Sequence, residues 1–526
     1  MSKTLEGERL ELPEDHPTTM FRALLDARDR HGGDTEIIED ALFGAMSYTA
    51  LLRASLALAK RVSRDTERGE RVGVFLPTGV PAAIVFFALQ AGGRTPAFFN
   101  YGQDAETLAA ACDVSGVKRI ISSTRFVEAG DLEDRENALS DCAAITHLED
   151  LREDLTILEK AAGAIAEKIP QLEPDPADPE APAVILFTSG TTGAPKGVAL
   201  SHANILANIA QVRAHIEFDP DWVFFSPMPV FHSLGLTGGL LLPILTGRKA
   251  VLHHDPLERK GVPKRIRESG ANVLVATDAF ARLYAKAAGD ALETLEFVVL
   301  GGERVDESTR EALADACSAE VIEGYGLSEA SPIVAVNQPG NNRPGTVGRL
   351  APGMEARLEE VEGVDVGERL LIRGPNLMVG QLDPDEDGAL SPLEGDWFDT
   401  GDLATCDADG FITITGRVKR FAKIGGEMVS LDRVVKEARA LWSDADHAVL
   451  AVRRDDGGEA VVLVTDEEEA GRDAFSAHVE ERDLDRRLVP KHVLVVEQTP
   501  MTPTGSPDYP RIRELVHREL ELEPAT

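Results

Sequence analysis

The stretch Phe187-Thr-Ser-Gly-Thr-Thr-Gly-Ala-Pro-Lys-Gly197 follows the apolar run Ala183–Phe187 and precedes Asn204–Ile216. In that second segment Ile205, Ile209, Val212 and Ile216 recur at helical spacing. Glycines in such a loop allow close backbone approach, so successive N–H groups can point at one anion. The hydroxyls of Thr188, Ser189, Thr191 and Thr192 add donors, Gly190 and Gly193 add freedom, and Lys196 adds a positive charge. This is equipment for a polyphosphate. It is not a Walker A loop, because Lys196 is followed by Gly197 and the glycine spacing differs.

Outward from the loop, short β-branched runs alternate with helical patterns. Strands are predicted at Arg71–Leu76, Asn272–Ala276, Phe297–Leu300 and Glu320–Ile322 as well as Ala183–Phe187. The alternation predicts an α/β fold: a large N-terminal domain of stacked, mostly parallel α/β subdomains. The proline- and acid-rich segment 170–182 reads as an extended connector between subdomains. Beyond Phe411–Thr415 the elements become smaller: a helix at Leu431–Leu441, strands at His447–Val452 and Glu459–Thr465 joined through Asp455-Asp-Gly-Gly, and a strand at His492–Glu497. They predict a small mobile C-terminal α+β domain over 417–526, after the large domain over 1–416.

Composition narrows the partners. The 526 residues carry 54 Lys+Arg and 90 Asp+Glu, a formal charge of −36. Such a surface repels phosphate backbones and anionic lipid, which disfavours nucleic-acid binding and broad membrane-surface binding, and fits a salt-adapted or strongly solvated surface. The four cysteines form no CxxC pair, which points to a reducing cytoplasmic setting. The start of the chain lacks a signal-peptide core, and the apolar runs Val80–Ala91 and Leu236–Leu245 fall short of the roughly 20 residues a spanning helix needs. The expectation is a soluble, cytoplasmic protein without a transmembrane segment.

Further glycine-rich turns follow predicted strands, the usual place for a nucleotide in an α/β sheet. Gly301-Gly-Glu303 ends one strand and Glu323-Gly-Tyr-Gly-Leu-Ser-Glu329 the next. Tyr325 can offer its face to a base, and Glu329 is a hard oxygen ligand for Mg²⁺. Trp397-Phe-Asp-Thr-Gly-Asp402 is expected to hold a carboxylate in a tight turn, suited to a ribose diol. Gly416-Arg-Val-Lys-Arg-Phe-Ala-Lys-Ile-Gly-Gly426 sits at the inferred domain boundary.

In this order the motifs resemble the adenylate-forming superfamily of acyl-CoA synthetases, luciferases and peptide-synthetase adenylation domains, across nearly the whole chain. Pro229-Val-Phe-His-Ser-Leu-Gly-Leu236, Gly345-Thr-Val-Gly-Arg349 and Arg420–Leu431 are most similar to the synthetase half of 2-acylglycerophosphoethanolamine acyltransferase/acyl-acyl-carrier-protein synthetases. The acyltransferase His-x4-Asp motif has no counterpart: Phe21 and Glu36 stand five residues after His16 and His31.

The resemblance implies a two-step reaction. A carboxylate attacks the α-phosphate of Mg·ATP to give acyl-AMP and pyrophosphate, and a thiol, on CoA or on a phosphopantetheine-carrying protein, then displaces AMP. It implies that Thr188–Lys196 hold the β,γ-phosphates and that Glu329 binds Mg²⁺. Gly302, Glu303, Tyr325, Gly326 and Ser328 line the nucleotide site, and Asp402 and Arg417 hold the ribose. Lys419 is the hinge, and Lys196, His232, Glu329 and Lys423 count as catalytic. Where the family carries a lysine in Pro-x-Thr-x-x-Gly-Lys, this chain has Pro500-Met-Thr-Pro-Thr-Gly-Ser506. Serine carries no charge, and loss of one such donor costs about 10²–10³ in rate, so weakened adenylation is expected.

Three readings are open: an acyl-acid:thiol ligase that passes a fatty acid to CoA or acyl carrier protein, a degenerate nucleotide- or acyl-binding sensor or partner subunit, and a loading module for a phospholipid or specialised acyl pathway, partnered by a separate acyltransferase. Local alternatives are open too. Gly235, Gly238 and Gly239 either leave a tunnel for an alkyl chain or permit close packing. His232 is an acyl-pocket residue or a turn histidine. Arg259, Lys260, Lys264, Arg265 and Arg267 either meet a CoA phosphate or an acidic carrier, or form a solvated helix face.

Overall fold

The computed structural model describes residues 3–520 apart from 13–15, 17, 157–177, 190–194, 363, 365, 387, 425–426, 444, 454–457 and 503–504. Most of the expected connector and the Asp455-Asp-Gly-Gly turn lie outside the described residues. The chain forms two units. The larger comprises Glu6–Met354 and Arg373–Phe398; the smaller comprises Met1–Leu5, Glu355–Ile372 and Asp399–Thr526.

Two sheets build the larger unit. In an eight-stranded sheet Arg71–Val74 lies between, and parallel to, Thr95–Phe98 and Arg119–Ser122. Thr95–Phe98 is in turn parallel to Pro182–Ser189, which folds back as an antiparallel hairpin onto Pro195–Ser201. In the nine-stranded sheet the parallel strands Glu36–Asp40, Lys249–Leu252, Val223–Ser226, Val273–Ala276, Phe297–Leu300 and Glu320–Gly326 lie side by side. Gly44–Ser47 closes one edge antiparallel, and Ile333–Val336 turns antiparallel near the other. Near-continuous apolar strands such as Val273–Ala276 are what a sheet covered on both faces requires.

One continuous apolar core includes residues of both sheets and the segments Val80–Gly92, His202–His215 and Leu234–Thr246. The apolar run at Val80 is a core helix, with Val85, Phe86 and Phe87 fully buried. Among the described residues no helix is long and apolar enough to cross a membrane. The helix expected at Asn204–Ile216 begins at His202, because Ser201 and Asn204 form a reciprocal capping box. It is also buried on more than the predicted stripe. Asn208 exchanges two hydrogen bonds with the backbone of Ile333, and Gln211 Nε2 donates to Asn376 Oδ1 at 3.3 Å. Its polar face is satisfied inside the protein.

The run after His232 is a π-helix, Leu234–Leu241, continued by Leu242–Thr246. A Cβ at Gly235 would stand 2.1 Å from the Pro229 carbonyl oxygen, and one at Gly239 would stand 2.1 Å from Ser226 Oγ. Close packing therefore explains these two glycines. Gly238 is looser, with the flexible Leu234 Cδ1 at 3.1 Å and Val275 at 4.0 Å.

The smaller unit holds a five-stranded sheet ordered Lys3–Glu6, Glu355–Glu359, Glu368–Arg373, Phe398–Cys406, Ile412–Arg417. The hairpin Phe421–Ile424/Glu427–Ser430 follows. A three-stranded sheet of His447–Arg453, Glu459–Thr465 and His492–Val495 comes next, with helices Leu431–Leu441, Arg472–Glu481 and Tyr509–Leu520.

Candidate active site

In the larger unit the hairpin sets Thr188 opposite Lys196 and Ser189 opposite Pro195. Phe187 anchors its base, stacked on Phe99 with ring centroids 5.4 Å apart. Lys196 is exposed beside the buried Pro195. Gly190, Thr191, Thr192 and Gly193 lie outside the described residues. The strand carrying Lys196 packs against the short 3₁₀ turn Ser328–Ala330 that carries Glu329. The Glu329 carbonyl accepts the Met378 N–H at 2.8 Å, which ties this turn to the strand-bearing loop beyond it.

Ser328 Oγ lies 3.2 Å from Ser233 Oγ, linking the Glu329 turn to the residue after His232. The His232 N–H donates to Pro229 O at 3.0 Å, and its Nε2 is shielded from solvent with no protein hydrogen bond. Burial pulls this imidazole down to about 4, so it is neutral at pH 7. His232 is thus more than a solvated turn histidine.

Gly302 follows strand Phe297–Leu300 with φ 86°, a left-handed conformation that glycine adopts freely, and Glu303 beside it is half-buried. Strand Glu320–Gly326 runs further than expected, so Tyr325 sits on a strand opposite Ala335 rather than in the turn after it. At Gly326 a Cβ would lie 2.2 Å from Pro332 O. Glu323 has a structural role that sequence reasoning missed. Buried at 4% exposure, it pairs with Arg310 and accepts the Gly345 N–H at 2.6 Å. Burial raises its carboxyl, opposed by Gly345 and Arg310. Arg310, on helix Glu307–Ala316, carries no local sequence signal for that partner.

The basic cluster proves to be largely a paired helix face. Arg265 bonds Glu39, Arg267 bonds Asp290, and Lys264 lies 3.6 Å from Glu268.

In the smaller unit Asp402 does not occupy a tight turn; it lies within strand Phe398–Cys406, opposite Arg417. Gly401 has φ 71°, which gives the turn-like signature while pairing continues through it. Asp402 N donates to Thr400 Oγ1 at 3.1 Å, and Thr400 Oγ1 donates to Leu370 O at 2.7 Å. Lys419 is exposed in the turn closed by Arg420 N to Arg417 O at 2.9 Å. Lys423 is exposed on the hairpin opposite Met428. Arg420 bonds Asp432 Oδ1 and Val449 O, each at 2.8 Å, and stacks 4.4 Å over the Tyr509 ring. Ser506 is held in a closed loop: its N–H donates to Thr502 Oγ1 at 3.2 Å, and its carbonyl accepts the Thr502 N–H at 2.7 Å. Arg511, near it in sequence, lies 3.6 Å from Asp508.

The medium-chain fatty-acid–CoA ligase of Escherichia coli K12 is 26% identical over 501 residues, 90% of this chain and 86% of that protein. The mitochondrial medium-chain acyl-CoA ligase ACSF2 of Macaca fascicularis is 27% identical over 360 residues, 65% of this chain and 58% of its own length. The long-chain-fatty-acid–CoA ligase of Yersinia pestis is 31% identical over 300 residues, 53% of this chain and 51% of its own. The chain thus spans just over half the length of the last two. Among solved structures, ATP-bound MatB from Rhodopseudomonas palustris superposes with a TM-score of 0.78 at 22% identity, covering 96% of this chain and 99% of that one. The o-succinylbenzoate CoA synthetase MenE of Bacillus subtilis, with its acyl-adenylate OSB-AMP, gives 0.78 at 17%, covering 93% and 98%. Both share the fold. Residues 25–382, well over half the chain, match the family described as AMP-binding enzyme, and the chain belongs to that family.

Proposed function

We propose that the protein is an ATP-dependent, AMP-forming acid–thiol ligase that activates a fatty acid and passes the acyl group to CoA or a phosphopantetheine-carrying protein. One observation carries this reading: Thr188 and Lys196 are partners at the mouth of the hairpin, and that strand packs on the Glu329 turn within the family-matched region. Lys196 and the loop 188–196 hold the β,γ-phosphates, with the lysine charge opposing negative charge that builds up on the phosphoryl group. Gly302, Glu303, Tyr325, Gly326 and Ser328 line the nucleotide base, and Asp402 with Arg417 serves the ribose.

Glu329 fits a magnesium ion that arrives with ATP. Mg²⁺ is bound by one or two carboxylates plus substrate phosphates rather than by a protein cage. Among the described residues no three His, Cys, Asp or Glu side chains converge as such a cage. The ion would neutralise phosphate charge. His232, neutral at pH 7, is placed beside the acyl carboxylate, where an uncharged imidazole orients the acid without clamping it as a salt. Lys423 completes the catalytic set, and residues 417–526 act as a lid that turns about Lys419 between the two half-reactions.

Ser506 favours a second reading, a nucleotide- or acyl-binding sensor with feeble adenylation. Fatty-acid-dependent ATP–pyrophosphate exchange separates the two. Robust exchange by the unaltered protein supports the ligase and shows that another cation serves in place of lysine. Exchange absent in the unaltered protein but restored by Ser506→Lys supports the sensor. No exchange in either protein, with ATP still bound, removes the ligase.

A further inference from the structure

The turn Ser328–Ala330, which carries Glu329, ends at Ser331 with φ 67° and ψ 22°. This is a left-handed conformation that residues other than glycine keep only where their surroundings hold them in it. Within the turn the Ala330 N–H donates to Leu327 O at 2.9 Å and the Ser331 N–H to Ser328 O at 3.3 Å. The carbonyls of Glu329 and Ala330 and the Ser331 hydroxyl take their partners from outside it.

One segment supplies all three. Asn376 Nδ2 donates to Ala330 O at 2.6 Å and to Ile333 O at 3.1 Å, and the Asn376 carbonyl accepts the Ser331 hydroxyl at 2.8 Å. Two residues on, the Met378 N–H donates to Glu329 O at 2.8 Å. Ala330, Ser331 and Asn376 are fully buried, so water cannot replace these bonds. Two carbonyls facing the amide demand donors, which turns its nitrogen toward the turn and leaves Oδ1 to accept from Gln211 Nε2 at 3.3 Å. Helix His202–His215 backs the segment further: Asn204 Nδ2 donates to Pro375 O at 3.0 Å, and Asn208 Nδ2 to Gln211 Oε1 at 3.0 Å. Asn376 is clamped by the helix on one side and grips the turn on the other.

The same segment runs on to the hairpin of Thr188 and Lys196. The Val379 N–H donates to Ala199 O at 3.1 Å, and strand Gly380–Asp383 sets Gly380 opposite Ala199 and Gln381 opposite Val198. Lys196 lies three residues before Ala199 on that strand. Asn376, Met378 and Val379 therefore tie the Glu329 turn and the Lys196 strand to one short stretch of backbone. A magnesium ion that takes a carboxylate from the protein and oxygens from a bound phosphate is sensitive to that spacing.

We propose that Asn376 is a positioning residue for the magnesium–nucleotide site: it fixes the Glu329 turn against the Lys196 strand and so sets the distance between carboxylate and phosphate loop. This role rests on the proposed ligase reading, which gives Glu329 to magnesium and Lys196 to phosphate. Asn376 acts through the backbone it holds, as outer partners of a metal ligand do.

Equilibrium dialysis of ATP against the full chain at graded magnesium chloride tests the role without turnover. Asn376→Ala should raise the half-saturating Mg²⁺ about tenfold and Ser331→Ala about threefold, near the lower end of the effect of losing an outer partner. Amides of residues 327–333, followed by hydrogen exchange without nucleotide, should exchange faster in the same order. Gln211→Ala removes a buried partner of the same amide without touching the turn. It should lower the melting temperature and leave the half-saturating Mg²⁺ unchanged. Should Asn376→Ala fail to fold, Ser331→Ala decides by the same readouts. Unshifted Mg²⁺ dependence in the turn variants, unaltered amide exchange, or an equal rise in Gln211→Ala overturns the role. So does ATP binding by the unaltered protein that is absent or indifferent to Mg²⁺. A shifted Mg²⁺ dependence with no pyrophosphate exchange, from either the unaltered protein or Ser506→Lys, would remove the ligase reading and keep the positioning role. Normal exchange with unshifted Mg²⁺ dependence would do the reverse.

Discussion

Asp402 Oδ1 lies 3.1 Å from Arg417 Nε, and the two residues are also direct cross-strand partners. The carboxylate is buried while the guanidinium is 69% exposed. Such a pair contributes little to stability from its exposed side, so the arrangement presents a fixed anion and an adjustable cation. Asp402→Ala is expected to weaken ATP binding by about 10–100-fold, the range for hydrogen bonds to a charged group. Isothermal titration checks this, and unchanged affinity would remove Asp402 from the nucleotide site.

Lys196 is exposed and sits on a well-paired strand. Lys196→Ala should leave the melting temperature unaltered and lower pyrophosphate exchange by about 10²–10³. A fall in thermal stability with exchange preserved would make it a structural residue.

The π-helix glycines should separate cleanly by substitution. Gly235→Ala drives a Cβ to 2.1 Å from a backbone carbonyl and should cost about 1–3 kcal/mol. Gly238→Ala meets only a leucine methyl at 3.1 Å and should cost less than about 1 kcal/mol. Urea unfolding of the two variants measures the contrast; equal losses would show that helix type, not contact, governs both positions.

Acid sensitivity follows from two buried imidazoles. His202 and His232 are each lowered by burial to about 4, against an ordinary value of 6.5. The unfolded chain binds the extra protons in that window, so stability is fully present above pH 6.5 and declines as pH falls toward 4. His202 Nδ1 accepts the Met20 N–H at 3.2 Å, so His202→Asn keeps an acceptor while removing a titrating group. Chemical unfolding at pH 7.5 and 5.0 should show a shallower acid decline in that variant; an unchanged slope would acquit His202.

With a net charge of −36, the folded chain repels itself. Raising sodium chloride from about 0.1 to about 1 M shortens the Debye length from about 10 to about 3 Å. The melting temperature should rise over that range, and a fall would show that surface ion pairs outweigh the repulsion.

Much of this architecture was legible because local chemistry dictates it. Helix Leu431–Leu441 and strand Glu459–Thr465 have the bounds their patterns predict, one from its Ser430 cap and apolar stripe, the other from a short apolar run rich in valine. What the pattern hid depends on distant partners. Nothing in the local pattern supplies a partner for Asn208 beside the apolar stripe; Ile333, 125 positions away, does. Asp402 reads as a turn residue because Asp399, Thr400 and Gly401 are turn formers, yet pairing with Arg417 keeps the strand going. The basic cluster reads as free charge until Glu39, 226 positions from Arg265, reaches it. For the site, the motifs named the residues, while the burial of Glu323 under Arg310 came only from the fold.

The chain passes between its two units four times, at 5/6, 354/355, 372/373 and 398/399. This imposes an order on synthesis. The eight-stranded sheet of the larger unit is complete only when Gly380–Asp383 and Ala389–Pro392 have emerged. By then the smaller unit has only Lys3–Glu6, Glu355–Glu359 and Glu368–Arg373 of its five-stranded sheet, waiting for Phe398–Arg417. The larger unit therefore has its whole chain once Phe398 has emerged, while the smaller unit waits for elements as late as helix Tyr509–Leu520. A gene fragment cut at any one of the four crossings would divide the five-stranded sheet between two pieces, and only the cuts at 5/6 and 398/399 would leave the larger unit whole.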